Sequence, residues 1–188
     1  VETCTNATDG AYYTHPAFTN ENKELRGLWV SKYEISTSDK DCSNGNNEGC
    51  LSKDLEIESK PGNYSWRNNY LSYFYQSIKK LDNNNNYHVI KNTEWGALTY
   101  LTHSRYGLCQ NDNCKTIGSN KTYISGAELT DSTTYNMSGV FDLSGGASEF
   151  VMANYTNGND LTLNNTHFGD TKLNPKDYNL YTKDKFIL

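Results

Sequence analysis

Segment 139–155, GVFDLSGGASEFVMANY, joins two carboxylates to a pair of glycines within an apolar run. Asp142 and Glu149 are seven residues apart, and Gly145 and Gly146 lie between them. Glycine lets a backbone turn its carbonyl oxygens inward, and carboxylates among apolar side chains must be neutralised or hydrogen-bonded. From the residues alone, one arrangement is a metal-free segment in which Asp142 caps a turn and Glu149 accepts from backbone amides.

Two helices are expected to position this segment, near 65–81 and 92–104. The first carries apolar residues at helical spacing, with Ser65 available as its N-cap. The predicted buried stripe is Trp66, Tyr70, Phe74, Ile78 and Leu81. The second helix is expected to be capped by Asn92 or Thr93 and to end near Gly107. Its predicted buried face is Trp95, Leu98 and Tyr100 or Leu101.

The stretch GLWVSKYEIS predicts a strand before these helices. Apolar and polar side chains alternate along it, as is typical of a strand with one buried face. The alternating sets are Leu28, Val30 and Lys32 on one side and Trp29, Ser31 and Tyr33 on the other.

The five cysteines indicate disulfides rather than a metal site. Two polar loops have a cysteine at each end, CSNGNNEGC and CQNDNC, which predicts the pairs Cys42–Cys50 and Cys109–Cys114. Free thiols are the alternative, and zinc is disfavoured because the four histidines are scattered. Disulfides imply an oxidising compartment. Cys4 is left without a partner in this sequence.

Composition and charge narrow the class of partner. The net charge is −5 and no basic stripe occurs, which argues against nucleic-acid binding. No apolar run approaches the ~20 residues of a membrane span. The chain starts at Val1 without a signal sequence and is expected to be a processed piece. The 15 tyrosines and many asparagines are typical of adaptable recognition surfaces and suit sugars.

Three blocks in order, GLWVSKYEIS, VIKNTEWGALTYL and GVFDLSGGASEFV, resemble the formylglycine-generating-enzyme (sulfatase-modifying-factor) family, a branch of the C-type-lectin-like fold. The third block is the specific one, and the resemblance covers residues 12–155. THPAFT, KNTEWGALTYL and the glycine pair are also similar to a subgroup of surface-associated, often pilin-like bacterial proteins. The resemblance implies a single α+β domain over 1–188, with two helices beside a small twisted antiparallel sheet and much irregular chain.

The resemblance also implies a structural calcium ion in the third block. Carried over residue by residue, Asp142 and Glu149 donate side-chain oxygens, and Gly145 and Ala147 donate backbone carbonyls. Calcium takes six to eight hard oxygen ligands, so this donor set is chemically reasonable.

The sequence departs from the family where the enzyme does its chemistry. Ser148 stands where the family has a tryptophan, Phe150 replaces the second aromatic, and no cysteine follows Cys114. The enzyme's cysteine pair is therefore absent, and no enzymatic activity is expected. The family's late Arg-Gly-Gly strand is also missing, so the chain is expected to be a fragment that lacks the late strands of the fold.

Loss of those strands predicts an open apolar groove beside the third block. Val140, Phe141, Leu143 and Val151 are expected to border it. An apolar groove beside an unpaired edge is rarely left bare. We expect it to be filled by residues after 188 or by a strand donated from a neighbouring subunit.

These observations predict a non-catalytic extracellular module on a bacterial surface or appendage that binds a glycan or protein ligand. The alternative is a structural subunit of an extracellular, pilus-like filament that assembles through its own faces.

Overall fold

The computed structural model describes residues 14–20, 23–39, 42, 55–81, 87–110 and 113–151. This part of the chain mixes helix and strand. Helix α1 spans Leu71–Leu81 and helix α2 spans Asn92–Thr102, with short 3-10 helices at Pro16–Phe18 and Leu129–Asp131. The strands are β1 (Thr19–Asn20), β2 (Lys23–Glu24), β3 (Cys109–Gln110) and β4 (Asn113–Cys114).

Helix α1 begins later than predicted, and the reason lies at Asn68. This residue has a φ of 57°, in the left-handed region, where asparagine is tolerated but a right-handed helix cannot pass. Ser65 is therefore not the N-cap, and that prediction is wrong. Its hydroxyl instead donates to the Glu34 carboxylate and lies 3.2 Å from the Tyr123 carbonyl oxygen.

The buried face of α1 is also rotated from the predicted stripe. Leu71, Phe74 and Tyr75 are buried, whereas Tyr70 and Leu81 are exposed. Trp66 is buried outside the helix, with its ring edge-on to Phe74 at 4.6 Å between centroids. These two rings and Cys42 form an apolar cluster, against which Ile35, Leu55 and Ile57 pack.

Helix α2 starts at Asn92, and its N-cap is Lys91, one residue before the predicted caps. The Lys91 amide donates to Glu94 Oε2 at 2.9 Å, an acid-to-amide contact typical of a first helical turn. Glu94 is buried and also contacts His88 Nε2 at 2.9 Å. Burial opposes ionisation of Glu94, but the hydrogen bond and charge of His88, with smaller contributions from Lys91, hold the pKa of Glu94 below its ordinary value.

The predicted buried face of α2 is largely wrong. Tyr100 and Leu101 are exposed, while Ala97 and Thr102 are buried together with Glu94. Trp95 lies half-buried at the surface of the helix, where it lines the cleft described below.

The predicted strand over 28–33 is not present, although the burial of its side chains partly alternates. Trp29 is fully exposed and Tyr33 is buried. Backbone pairing in this region consists of single contacts: the Phe141 amide donates to the Lys32 carbonyl at 2.9 Å, and Ser36 bridges to Glu58. The partial alternation of side-chain burial therefore comes from an extended segment that packs against the rest of the domain without forming a strand.

The small antiparallel sheet expected beside the helices is reduced, within the described residues, to two-stranded pairs. β1 pairs with β2, and β3 pairs with β4. Isolated bridges link the remaining loops: Ser36 with Glu58, Tyr64 with Ile124, Asn120 with Gly145, and Ser132 with Phe141. The loops are thus held by scattered backbone contacts and by side chains.

The Cys109–Cys114 disulfide joins β3 to β4, which confirms that predicted pair. Cys42 is buried and disulfide-bonded. Its predicted partner, Cys50, lies outside the described residues, as does Cys4. Neither helix in the described part of the chain is long and apolar enough to cross a membrane.

Candidate functional site

The Asp142 carboxylate is fully buried and surrounded by hydrogen-bond donors. Asn120 Nδ2 donates to Oδ1 at 2.9 Å, and Ser125 Oγ and the Gly126 amide donate to Oδ2 at 2.6 and 2.8 Å. A carboxylate can accept about four hydrogen bonds. Three donors therefore satisfy most of this group without a metal, and they join the 120–126 loop to the third block.

The backbone of Asp142 is held as firmly as its side chain. Its amide donates to the Asp131 carbonyl at 3.0 Å, and its φ is 63°. Aspartate is among the few non-glycine residues that adopt this left-handed conformation readily. The turn directs the carboxylate into the protein and leads the chain toward the two glycines.

Gly145 and Gly146 are each required by a close approach. A Cβ at Gly145 would lie 2.4 Å from the Asn120 carbonyl oxygen, and a Cβ at Gly146 would lie 2.9 Å from Glu34 Oε1. Both residues also have positive φ, 81° and 67°. The glycine pair thus lets the loop pack directly on Asn120 and on the Glu34 carboxyl group.

Glu34 is the site residue that the sequence analysis missed. Its Oε1 accepts from the Ala147 amide at 3.1 Å, and its Oε2 accepts from the Ser65 hydroxyl. Glu34 lies in the first block, GLWVSKYEIS, which served only to predict a strand and to indicate the family resemblance. Desolvation by burial raises the pKa of Glu34 to about 7, and the charges of Asp142 and Glu149 add to the rise against the hydrogen bonds from Ser65 and Ala147.

Glu149 lies at the surface and contacts Trp95. The indole Nε1 of Trp95 donates to Glu149 Oε2, which ties the end of the third block to helix α2. Glu149 is exposed, yet its carboxyl group loses part of its hydration against the protein, and this desolvation raises its pKa. The hydrogen bond from Trp95 opposes the rise, and the charge of Asp142 adds to it.

An open cleft of about 550 Å³ runs between α2 and the third block. Asn92 and Trp95 form its helical side, and the opposite side is formed by Leu143, Gly145, Gly146, Ala147, Ser148, Glu149 and Val151. Pockets that bind small ligands combine apolar surface with a few polar groups. The cleft has this composition, with one indole, one amide and one carboxylate.

The predicted groove residues divide between this cleft and the interior. Leu143 and Val151 line the cleft, as expected for residues beside an opening. Phe141 does not, because it is 2% exposed and packs on Tyr33 with 5.2 Å between ring centroids. Val140 is half-buried and pairs with Thr133 through its backbone. The open surface is therefore smaller than predicted.

The four predicted calcium ligands lie in one short segment but in different surroundings. Asp142 is buried among its hydrogen-bond donors, which together form a cage around the carboxylate. Gly145, Ala147 and Glu149 instead line the cleft. No group of three or more His, Cys, Asp or Glu side chains is placed to hold a metal within 14–151 where the structure describes the chain. The predicted set has two carboxylates and two carbonyls, so calcium stays a prediction.

Replacing Asp142 with asparagine should strongly destabilise the fold. Asparagine tolerates the left-handed backbone. Its NH₂ group, however, would replace one carboxylate oxygen, and it would face a hydrogen-bond donor that this oxygen accepts from in the unmodified chain. We expect a loss of about 2–4 kcal/mol in the free energy of unfolding, measured by urea denaturation. Glu56→Gln, an acid-to-amide change at an exposed residue, is the control. Equal stability of Asp142→Asn and the unmodified chain would contradict the role of the cage.

Ionisation of Glu34 should lower the free energy of unfolding as pH rises. Its folded pKa of about 7 lies above the ordinary 4.5, so the folded chain holds the proton more tightly. The resulting stability is present below pH 4.5 and is lost as pH rises through 7. Glu149 and Asp131, whose pKa values are also raised by desolvation, act in the same direction.

Glu34→Gln should therefore flatten the pH profile of stability. The amide can still accept from Ala147 but cannot ionise, so the variant should gain on the order of 2 kcal/mol over the unmodified chain at alkaline pH. Near pH 4.5 the two should be similar. Urea denaturation across this pH range measures the difference, with Glu56→Gln again as control. An unchanged slope in Glu34→Gln would show that Glu34 is not the group responsible.

Comparison of the chain with protein-family models, curated protein sequences and solved structures gives no match. The resemblance to the formylglycine-generating-enzyme family thus depends on the three sequence blocks alone and stays a prediction.

Proposed function

We propose that this chain is a non-catalytic extracellular module of a bacterial surface or appendage and that it binds a glycan in the cleft between α2 and the third block. The observation that carries the proposal is the grouping of Trp95, Asn92 and Glu149 around one open cleft. The Cys109–Cys114 disulfide supports an oxidising environment.

The chemistry of these three side chains matches that of a sugar ring. The indole offers a large apolar face with a polar edge, on which the C–H face of a sugar can lie. The Asn92 amide both donates and accepts hydrogen bonds, and the Glu149 carboxylate accepts from hydroxyl groups. The hydrogen bond from Trp95 to Glu149 orients the aromatic and acidic groups before a ligand arrives.

The arrangement of acids supports binding without catalysis. Hydrolysis of a glycosidic bond uses two carboxyl groups that face each other across the bond. Glu149 is the one acid in the described lining of the cleft, and Glu34 is turned toward Ser65 and the Ala147 amide behind the wall. A sugar in the cleft would therefore meet one carboxylate.

Trp95→Ala should weaken glycan binding by about 2- to 13-fold, since aromatic contacts contribute about 0.5–1.5 kcal/mol. A glycan array selects the ligand, and calorimetric titration measures Kd. Trp29→Ala is the matched control, because Trp29 is fully exposed and does not line the cleft. Trp95→Phe should retain part of the affinity. A blank array, or equal binding by Trp95→Ala and the unmodified chain, would contradict the proposal.

A filament subunit is the second candidate, and the surface of segment 25–30 favours it. Trp29 is fully exposed and Leu25 is 38% exposed, on a segment that is not paired as a strand in the described structure. Exposed aromatic groups on extended chain are suited to contacts between copies. Electron microscopy and sedimentation velocity distinguish the candidates: filaments that Trp29→Ser dissolves would favour assembly, and a monomer at high concentration would favour the binding module.

Structural calcium at Asp142, Gly145, Ala147 and Glu149 is part of the proposal. A cation near Glu149 and Asp142 would relieve the repulsion that contributes to the raised pKa of Glu149. Calcium at about 100 times its Kd would add about 2.7 kcal/mol to the unfolding free energy. We expect the melting temperature to rise with calcium and to fall with chelator, and Glu149→Gln to abolish both effects. A melting curve that chelator leaves unchanged would show that hydrogen bonds alone hold the segment.

A further inference from the structure

We propose that the glycan recognised in the cleft is an amino sugar with a free, protonated amine, and that Glu149 binds its ammonium group beside the Trp95 ring. This inference rests on the proposed function, since it names the ligand class of the same cleft. The ligand class follows from the charge around the cleft and from the chemistry of its walls.

The charge of the cleft has one sign. Among the described residues, Glu149 is the one charged residue in its lining, and Glu34 lies directly behind Gly146. Asp142 is close enough to both to repel them electrostatically. The Glu149 and Asp142 carboxylates therefore act on the same space, and their combined field favours a positively charged group there.

The lysine and arginine side chains whose contacts are described make those contacts away from the cleft. Lys91 Nζ lies 3.4 Å from Glu94, Arg67 stacks on the Tyr123 ring, and Lys32 donates to the Met137 carbonyl. The cleft lining that the structure describes includes no lysine, arginine or histidine. Within the described part of the chain, then, the acidic side of the cleft has no internal counter-charge, and a ligand can supply one.

The position of Glu149 suits an ammonium group. Its described hydrogen bond comes from the Trp95 indole, which occupies one of the roughly four acceptor positions of a carboxylate. A charge-assisted hydrogen bond to an ammonium is stronger than one to a neutral hydroxyl. An aromatic ring beside the cation adds an attraction of about 0.5–2 kcal/mol. An N-acetylated sugar presents a neutral amide at the same place and gains neither contribution.

The test compares two probes of equal length, an oligosaccharide of glucosamine and its fully N-acetylated counterpart, in a buffer that keeps the amines protonated. Calorimetric titration of the unmodified chain should give a Kd at least about tenfold lower for the amine form. The preference should shrink at high salt, because ionic attraction is screened. Sulfated oligosaccharides should bind least.

Glu149→Gln should remove the preference by weakening binding of the amine probe more than binding of the N-acetylated probe, so that the ratio of the two Kd values approaches one. Glu56→Gln is the matched control at an exposed acid outside the cleft, and circular dichroism verifies that each variant is folded. Because Glu149 is exposed, its substitution should not unfold the chain. A Glu149→Gln variant that keeps the full preference would overturn the assignment of the ammonium to this residue.

The outcomes separate this inference from the proposed function. Equal affinity for the two probes, with loss of both in Trp95→Ala, would overturn the inference and leave the glycan-binding function standing. Binding of neither probe, together with a blank array, would overturn both. Titrations are repeated with calcium, and a preference for the amine that calcium suppresses would support the inference by showing that the two cations compete for the same carboxylates.

Discussion

The burial of the Asp142 charge organises the region around the cleft. A carboxylate without solvent is tolerated only where donors replace the lost water, and here the donors come from the 120–126 loop. Meeting this requirement brings that loop against the third block and places Gly145 beside Asn120. The same negative charge adds to the effect of desolvation on the pKa values of Glu34 and Glu149, so a residue that does not line the cleft contributes to its electrostatics.

The wall of the cleft depends on the absence of side chains. Because Gly145 and Gly146 lack a Cβ, backbone atoms can approach Asn120 and Glu34 at distances that an alanine would not allow. The Ala147 amide then donates a hydrogen bond to Glu34, and the Glu149 carboxylate accepts one from Trp95. Two interactions at the ends of a short segment thereby tie the third block to segment 28–36 on one side and to helix α2 on the other.

Sequence reasoning succeeded where the signal was local and failed where partners are distant in the chain. The existence of both helices and the Cys109–Cys114 pair followed from spacing within a few residues. The start of α1 was predicted too early because the spacing of apolar residues does not reveal that Asn68 is left-handed. Ser65 was wrongly predicted as the N-cap because the group that accepts its hydrogen bond, Glu34, is 31 residues away in the chain. Asp142 and Glu149 could be selected from the sequence because apolar residues flank them. The donors around Asp142 could not, because they are ordinary Asn, Ser and Gly residues whose role appears only in three dimensions.

The interior also has an unusual chemical character. The largest fully buried side chains in the described part of the chain are mostly hydroxyls: Thr102, Ser36, Ser65, Ser77, Ser125 and Ser132, together with Asp142 and Cys42. Exposing apolar surface on unfolding raises the heat capacity, whereas exposing polar surface lowers it. The buried hydroxyls should therefore lower the heat-capacity change on unfolding, relative to a core with aliphatic side chains in their place. The free energy of folding would then vary gently with temperature, and cooling would cost this protein less stability than it costs one with an aliphatic core.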